Sequence, residues 1–377
     1  GSNVTISIKE LAQKIAEPTQ ILALTFTERA AREMQERLHD LVGWRSFQVP
    51  VMTFHAFGAE MLARYGAHIG RSVRGGLLND NQKTLLISQH FSEIQLEYYH
   101  PGEALLEFIQ GVVDYIGLLQ NAGISSQTYS AYTARLDQHN ADLHEFDRAE
   151  QRDLARIYEL YEKIKLTTGT YDYHDQIVLP LEILQQRPNL VERMRREYRY
   201  VLVDEYQDIN TAQYQLVRLL AAHHQNVSVV GDDFQSIYAF RGADFRNFLN
   251  FTRDWPGATL IKLEQNYRST GRIIEAANAV IKNNVVQTPK NLWTENPAGD
   301  PIVIVAAPSP ETEAFWVAGE IWRLRNQNPH AEIGILYRTN AQSRAIEQAL
   351  IASSLSYKIF GGLKFYERKE IKDVLAG

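Results

Sequence analysis

Two adjacent acids follow an apolar run in the middle of the chain. The stretch VLVDEYQDIN, residues 201–210, changes from apolar to acidic at Asp204 and Glu205. Such a pair can start a loop or cap a helix. It can also perform metal-assisted phosphate chemistry, in which one carboxylate holds Mg²⁺ and the other orients or deprotonates a water. The pair alone does not decide between these interpretations, so the neighbouring segments must.

A second polar segment follows another apolar run. In VVGDDFQSIYAFRGAD, residues 229–244, Gln235 could hydrogen-bond a terminal phosphate. Tyr238, Phe240 and Arg241 form an aromatic and basic cluster suited to stacking single-stranded bases. Taken separately, the two aromatic residues would fit a hydrophobic core and Arg241 a solvated surface. A phosphate site nearby would favour the base-stacking interpretation of the cluster.

A third segment pairs an aromatic residue with a cation. LEQNYRS, residues 263–269, places Tyr267 directly before Arg268. An adenine could stack on the tyrosine, and a polyphosphate could pair with the guanidinium. Each of the three segments thus carries side chains suited to a phosphate or a base.

The elements that must position these residues alternate between apolar runs and helical patterns. This alternation predicts an α/β fold with a buried parallel sheet, whose ligands bind at the carboxyl ends of the strands. From about residue 77 to 190 the strand signal disappears and helical spacing predicts an inserted helical domain. The predicted strands cover residues 21–26, 49–54, 198–204, 226–232, 258–264, 301–307 and 331–338.

Composition limits the class of protein. The 377 residues carry 39 Lys and Arg against 45 Asp and Glu, a formal charge of −6, so a nucleic-acid surface must be a local patch. The absence of Cys excludes disulfides and thiolate chemistry. No stretch reaches the roughly 18 apolar residues of a membrane span. Residues 1–15 have the pattern of an amphipathic helix, and we expect a soluble, cytoplasmic chain without a membrane partner.

Eight segments in order resemble superfamily 1 DNA helicases of the UvrD/PcrA/Rep type. The resemblance implies a RecA-like P-loop NTPase domain in two parts, residues 1–76 and 191–264, with a helical insertion at 77–190. It also implies that residues 265–377 form the N-terminal part of a second RecA-like domain. The matching segments are TFTERAAREM (25–34), TFHAFG (53–58), YDYHDQI (171–177), VDEYQD (203–208), GDDFQSIYAFRGAD (231–244), LEQNYRS (263–269), ILYRTNAQSR (335–344) and FGGLKFYERKEIKD (360–373).

The resemblance also implies roles for individual residues. Asp204 would hold Mg²⁺ and Glu205 would activate water, while Gln235 would couple the γ-phosphate of ATP to DNA. Arg268 would contact that phosphate and Tyr267 would stack on adenine. The family moves 3′ to 5′ along single-stranded DNA and acts at duplex junctions, often in DNA repair. The expected DNA-binding residues are Thr25, Phe26, Thr53, His55, Tyr238, Phe240, Arg241, Arg338 and Asn340.

Some positions depart from the family pattern. The glycine-rich phosphate loop G-x-x-x-x-G-K-[ST] is absent; Thr5 could match its hydroxyl position, but Val4 then stands where the lysine belongs. Glu28 replaces an Asn near DNA, and Phe240 stands where the family often has Trp. We therefore expect this chain alone to be an incomplete helicase and a poor ATPase.

Two other hypotheses remain open. The chain could be a non-hydrolysing pseudo-helicase, a DNA-binding or docking subunit of a helicase–nuclease complex, with a nuclease or repair protein as its partner. It could also be an unrelated phosphate-binding α/β protein, which the ordered series of segments disfavours.

Overall fold

The chain divides into two compact units, seen in a computed structural model that describes residues 16–71, 74–139 and 145–360. The first unit comprises Gly1–Glu264 and Asn278–Leu292, and the second comprises Gln265–Ala277 and Trp293–Gly377. The predicted helix over residues 1–15 lies outside the described residues, as does the family-like segment after Phe360.

The first unit is built on a four-stranded parallel sheet. Its strands lie in the order β2 (Val51–Thr53), β1 (Ile21–Thr25), β5 (Tyr200–Val203) and β6 (Val227–Val229). In its register, Leu24 lies opposite Met52 on one side and Val203 on the other. The predicted α/β fold with a parallel sheet is confirmed. The strands of the described residues are β1 (Ile21–Thr25), β2 (Val51–Thr53), β3 (Gly76–Leu78), β4 (Thr170–Asp172), β5 (Tyr200–Val203) and β6 (Val227–Val229).

Helices follow each strand of the four-stranded sheet, and further helices form most of the insertion. In the described residues they are α1 (Glu28–Val42), α2 (Phe54–Tyr65), α3 (Asp80–His90), α4 (Leu105–Asn121), α5 (Ser126–His139), α6 (Glu145–Thr168), α7 (Asp175–Gln186), α8 (Pro188–Glu197), α9 (Thr211–Ala221), α10 (Arg246–Leu249), α11 (Phe251–Asp254), α12 (Gly271–Ile281), α13 (Pro310–Gln327) and α14 (Ser343–Ala352). None of them is long and apolar enough to cross a membrane.

Side-chain caps fix where the strands turn into helices. Thr27 accepts a hydrogen bond from the backbone N–H of Ala30 at the start of α1, and Thr53 accepts one from Ala56 at the start of α2. Each cap satisfies a backbone donor that has no partner within the helix. The functional segments therefore leave the sheet edge at defined points.

The main core lies between the sheet and the helices on one of its faces. Leu22 and Leu24 of β1 and Val201 of β5 are buried there against Phe54 and Phe57 of α2. Nearly continuous apolar strands are typical of a parallel sheet covered by helices. This core holds the carboxyl ends of β1, β2 and β5 side by side.

The insertion has its own core and a short sheet. Ile109, Ile116, Ile157 and Tyr158 of α4 and α6 are buried together. Strands β3 and β4 pair in parallel, so the expectation that strands are absent between residues 77 and 190 is wrong for 77–78 and for 170–172. A three-residue strand is too short to produce a period-two pattern, so the sequence did not indicate it.

The second unit packs α13 against α14. Ala314 and Ala318 of α13 are buried against Ala349 and Leu350 of α14, and Ile333 and Ile335 pack on this core. Small residues on both helices permit this close approach.

Three predicted strands are not strands in the described part of the chain. Residues 258–264 of the first unit, and 301–307 and 331–338 of the second, have no ladder partner there. Ile304 is 93% exposed and Leu336 is 97% exposed. Apolar patterning identifies a chain that could pair, but a strand also needs a hydrogen-bonded neighbour. These predictions were wrong because the sequence pattern does not supply that neighbour.

Candidate functional site

The acid pair lies at the carboxyl end of β5. The backbone N–H of Asp204 donates to the carbonyl of Leu24 in β1 at 2.9 Å, which continues the sheet up to the first acid. Glu205 then adopts the left-handed conformation, with φ 51° and ψ 45°. This conformation is uncommon for a residue other than glycine, and such residues cluster at functional sites. It turns the chain sharply so that both carboxylates stay at the sheet edge.

The electrostatics of the pair fit a cation. Burial and then the charge of Glu205 raise the pKa of Asp204. Burial and Glu205 likewise raise the pKa of Asp208 to about 6, and one carboxylate oxygen of Asp208 is buried without a hydrogen-bond partner. A bound cation would relieve this accumulation of negative charge.

The donor set favours one kind of cation. No group of three or more His, Asp or Glu side chains among the described residues is arranged to hold a metal ion. Mg²⁺ is usually bound by one or two carboxylates together with waters and phosphate oxygens. Asp204, together with waters and phosphate oxygens, fits that arrangement, which leaves Glu205 free to contact a water.

A hydrogen-bonded relay connects the acid pair to the segment after β6. Gln207, which is buried, donates from Nε2 to Glu205 Oε2 at 2.8 Å and accepts from the backbone N–H of Asp232 at 2.9 Å. Asp232 in turn accepts from Gln235 Nε2 at 2.8 Å. A Cβ atom at Gly231 would lie 2.6 Å from Gln207 Oε1, so a larger residue there would displace the Gln207 side chain. The relay joins Glu205 to Gln235 through three hydrogen bonds.

The aromatic residues predicted to stack on bases form one cluster. The rings of Phe26 and Tyr238 lie 5.2 Å apart, and those of Tyr238 and Phe240 lie 6.1 Å apart. The Arg241 guanidinium lies 5.3 Å from the centre of the Tyr238 ring and 5.5 Å from that of Phe240. Phe240 is 65% exposed, so its ring is available to a ligand. The alternative that these aromatic residues are core residues does not fit Phe240.

A second aromatic pair contains a residue to which the sequence analysis assigned no role. His55 and Tyr173 stack with ring centres 3.7 Å apart and planes 18° apart. Burial first, and then the charge of Glu28, raise the pKa of Tyr173, whereas Arg241 lowers it, so Tyr173 lies near both charged residues. The only signal for Tyr173 was its position in the family-like segment YDYHDQI. Arg241 of the aromatic cluster is thus among the charged neighbours of the His55–Tyr173 pair.

The insertion reaches this cluster through Asn121, which the sequence analysis also missed. Asn121 is the last residue of α4, and its Nδ2 donates to the carbonyl of Arg241 at 2.9 Å. Its Oδ1 accepts from Asn210 at 2.8 Å and lies 3.1 Å from His174 Nδ1. Gly242 follows in the left-handed region at φ 85°. Asn121 therefore fixes the backbone that carries Arg241.

Two predicted DNA-binding residues lie below the surface. Thr25 is fully buried and its hydroxyl has no hydrogen-bond partner. Thr53 is buried as well, and its hydroxyl donates to Glu28 Oε1 at 3.0 Å. Glu28, where the family usually has Asn, thus accepts a hydrogen bond from the threonine.

The remaining predicted residues belong to the second unit. The phenol of Tyr267, a residue 78% exposed, donates to Gln265 Oε1 at 2.7 Å. The backbone N–H of Arg268 donates to Asn266 Oδ1 at 3.0 Å, which closes a tight turn.

Arg338 and Asn340 are exposed in a second turn of this unit. Its backbone is held by Gln342, whose Oε1 accepts from the N–H groups of Arg338 at 3.0 Å and Thr339 at 2.9 Å. The turn thus presents both side chains to solvent.

The chain resembles known helicases over nearly its whole length. Residues 4–256 match the UvrD/REP helicase N-terminal domain, and residues 261–377 match the UvrD-like helicase C-terminal domain. The chain is 38% identical over 364 residues to the ATP-dependent DNA helicase PcrA of Leuconostoc citreum, covering 95% of this chain and 46% of that protein. It is 39% identical over 368 residues to PcrA of Bacillus subtilis (strain 168), covering 97% and 47%.

A third relative agrees with these two. The chain is 39% identical over 373 residues to DNA helicase II of Rickettsia typhi, covering 97% of this chain and 53% of that protein. The chain thus spans about half the length of the curated relatives it matches. Because the two domain matches follow each other in sequence order and together cover nearly the whole chain, the chain belongs to the UvrD/Rep family of helicases.

Proposed function

We propose that this chain is the ATP-binding and single-stranded-DNA-binding part of a DNA helicase that moves 3′ to 5′. The observation that carries the proposal is the relay from Glu205 through Gln207 and Asp232 to Gln235. Gln235 lies three residues before Tyr238, the centre of the aromatic cluster. A movement of the acid pair could therefore be transmitted to the aromatic cluster through three hydrogen bonds and the backbone between Gln235 and Tyr238.

On the ATP side, Asp204 would hold Mg²⁺, which when bound neutralises charge on the phosphate oxygens. Glu205 would accept a proton from the attacking water as the bond between water and the γ-phosphorus forms and that to the leaving oxygen breaks. Gln235 would orient that water and the γ-phosphate. In the second unit, exposed Tyr267 would stack on adenine and Arg268 would pair with the γ-phosphate.

On the DNA side, Phe26, Tyr238, Phe240 and Arg241 would stack on successive bases without reading their sequence. The His55–Tyr173 pair would extend this stacking surface. Arg338 and Asn340 would contact the strand from the second unit. Thr25 and Thr53, being buried, would support the surface from beneath rather than touch bases.

The proposal is tested by binding and hydrolysis together. We expect the chain to bind a fluorescent oligo(dT) with an affinity that falls as salt rises, and the full-length protein that carries it to hydrolyse ATP faster when the oligonucleotide is present. Glu205→Gln should abolish hydrolysis without weakening nucleotide binding. Displacement of streptavidin from the 5′ end but not the 3′ end of a biotinylated strand would establish the 3′-to-5′ direction.

The same experiment separates the alternatives. DNA binding without ATP hydrolysis in the full-length protein would favour a pseudo-helicase subunit of a helicase–nuclease complex. Hydrolysis by the full-length protein but not by this chain would agree with the expectation that the chain alone is a poor ATPase. Failure to bind single-stranded DNA would overturn the proposed function.

A further inference from the structure

Lys290 lies between the two acids that begin the segment after β6. Its Nζ donates to Asp233 Oδ1 at 2.7 Å and to Asp232 Oδ1. The ammonium also lies 3.9 Å from the centre of the Phe234 ring. The lysine side chain is only 13% exposed, so water competes weakly for it. Lys290 is therefore the shared counter-ion of both acids.

The backbone beside Lys290 makes a further contact with the same acids. The N–H of Thr288 donates to Asp233 Oδ2. Residues 288–290 follow the end of α12 by a few positions and belong to the first unit together with the acids. Residues 288–290, which we call the strap, thus place the positive charge of Lys290 against both acids.

The contact with Asp232 determines how Gln235 can face a ligand. One carboxylate oxygen of Asp232 is occupied by Lys290 and the N–H of Phe234, and the other accepts from Gln235 Nε2 at 2.8 Å. A carboxylate only accepts hydrogen bonds, so the amide nitrogen of Gln235 must face it. Gln235 Oε1 and one remaining N–H then face outward, where they can accept from a water and donate to a phosphate oxygen.

Without Lys290, the Asp232 carboxylate would no longer be held in the orientation in which it accepts from Gln235. Burial alone would raise the pKa of Asp232, but hydrogen bonds from Lys290 and Gln235 hold it below its ordinary value. Removing the lysine would leave two adjacent, partly buried carboxylates without their shared cation. Their repulsion would rotate Asp232 away from the position in which it holds Gln235.

We infer that Lys290 is a positioning residue for ATP hydrolysis, which sets the orientation of the Gln235 amide through Asp232. The inference deepens the proposed function and rests on it. Lys290 touches neither the reacting atoms nor DNA in this scheme, and its effect passes through Asp232 and Gln235 alone.

The first test needs no nucleotide. Hydrogen–deuterium exchange followed by mass spectrometry should show faster exchange in peptides covering residues 231–236 of Lys290→Ala than in the unmodified chain. Lys290→Arg, which keeps the charge, should restore slow exchange. Lys262→Ala is the matched control, because Lys262 contacts the same strap through the carbonyl of Pro289 rather than through either acid. Equal exchange in Lys290→Ala and Lys262→Ala would overturn the inference.

The second test is a double-mutant cycle in the full-length protein that carries this chain. Lys290→Ala should lower kcat for DNA-stimulated ATP hydrolysis by about tenfold with little change in KM, and Gln235→Ala should lower it at least as much. Because both act through one amide, the double variant should hydrolyse ATP as Gln235→Ala does. The inference would be overturned if the two single-variant losses in kcat multiplied in the double variant, or if Lys290→Ala changed only KM. No hydrolysis by the unmodified protein would instead overturn the proposed function, and the inference with it.

Discussion

The side-chain amide of Gln207 donates to the carboxylate of Glu205 at 2.8 Å while its carbonyl accepts from the backbone N–H of Asp232 at 2.9 Å. One buried residue therefore holds the acid after β5 and the chain after β6 in a fixed relation. Neither hydrogen bond can be made by an apolar side chain. An apolar residue at position 207 would therefore break the connection between the two segments.

Replacement of Gln207 by Leu tests this relation. Gln207→Leu leaves the N–H of Asp232 without a partner, which should lower the free energy of unfolding by about 1–3 kcal/mol. It also frees Glu205, so ATP hydrolysis should fall while DNA binding persists. Urea denaturation of the chain measures the first effect, and an ATPase assay of the full-length protein that carries it measures the second. Gln186→Leu, an exposed glutamine of α7, serves as the control, and equal losses in both variants would contradict the prediction.

The stacked pair His55 and Tyr173 predicts a contribution to DNA affinity. Tyr173→Ala removes a half-exposed ring beside the aromatic cluster and should weaken oligo(dT) binding by about 5- to 150-fold, which corresponds to the loss of one stacked base. Tyr173→Phe keeps the ring and should bind normally. Fluorescence anisotropy at fixed salt measures the affinity. If Tyr132→Ala, which removes an exposed ring of α5, weakened binding as much, Tyr173 would have no special role.

The sequence predicted the sheet edge well because its signal is local. The apolar runs that end at Asp204 and Asp232 coincide with β5 and β6, and caps such as Thr53 begin helices where the pattern changes. Tyr173 and Asn121 were not assigned a role because each acts through a partner 118 to 120 positions away in the chain. Such contacts depend on how the insertion packs, which hydrophobic periodicity does not encode.

The pKa of His55 predicts how stability changes with pH. Burial first, and then the charge of His174, lower the pKa of His55 from 6.5 to about 4. Between these two pKa values the unfolded chain binds more protons than the folded chain. The stabilisation that comes from keeping His55 neutral is therefore fully present above pH 6.5 and is lost as the pH falls toward 4. This group alone should lower the free energy of unfolding by about 2 kcal/mol when the pH falls from 7 to 5.

His55→Phe should remove that component while preserving a ring against Tyr173. Urea denaturation at pH 7 and pH 5 should therefore show a smaller difference for the variant than for the unmodified chain. His100→Phe replaces an exposed histidine of the insertion and should leave the difference unchanged. A full pH effect in His55→Phe would mean that other groups produce it.

A buried ion cluster anchors the turn that carries Tyr173. Lys165 of α6 is fully buried, and its Nζ donates to Asp175 at 2.7 Å and to Asp172 at 3.3 Å and pairs with Glu162 at 2.8 Å. Burial alone would lower the pKa of Lys165, but these three carboxylates raise it well above its ordinary value. The lysine therefore stays charged in the core.

Removing the charge of Lys165 should destabilise the fold far more than removing the charge of Lys163. Lys165→Met leaves buried carboxylates unpaired and should lower the free energy of unfolding by about 3–5 kcal/mol. Lys163→Met changes an exposed lysine of the same helix and should stay within about 0.5 kcal/mol of the unmodified chain. Thermal denaturation compares the two, and similar stabilities would contradict the prediction. Because Tyr173 lies between Asp172 and Asp175, a Lys165→Met chain that still folds should also bind oligo(dT) more weakly than the Lys163→Met chain.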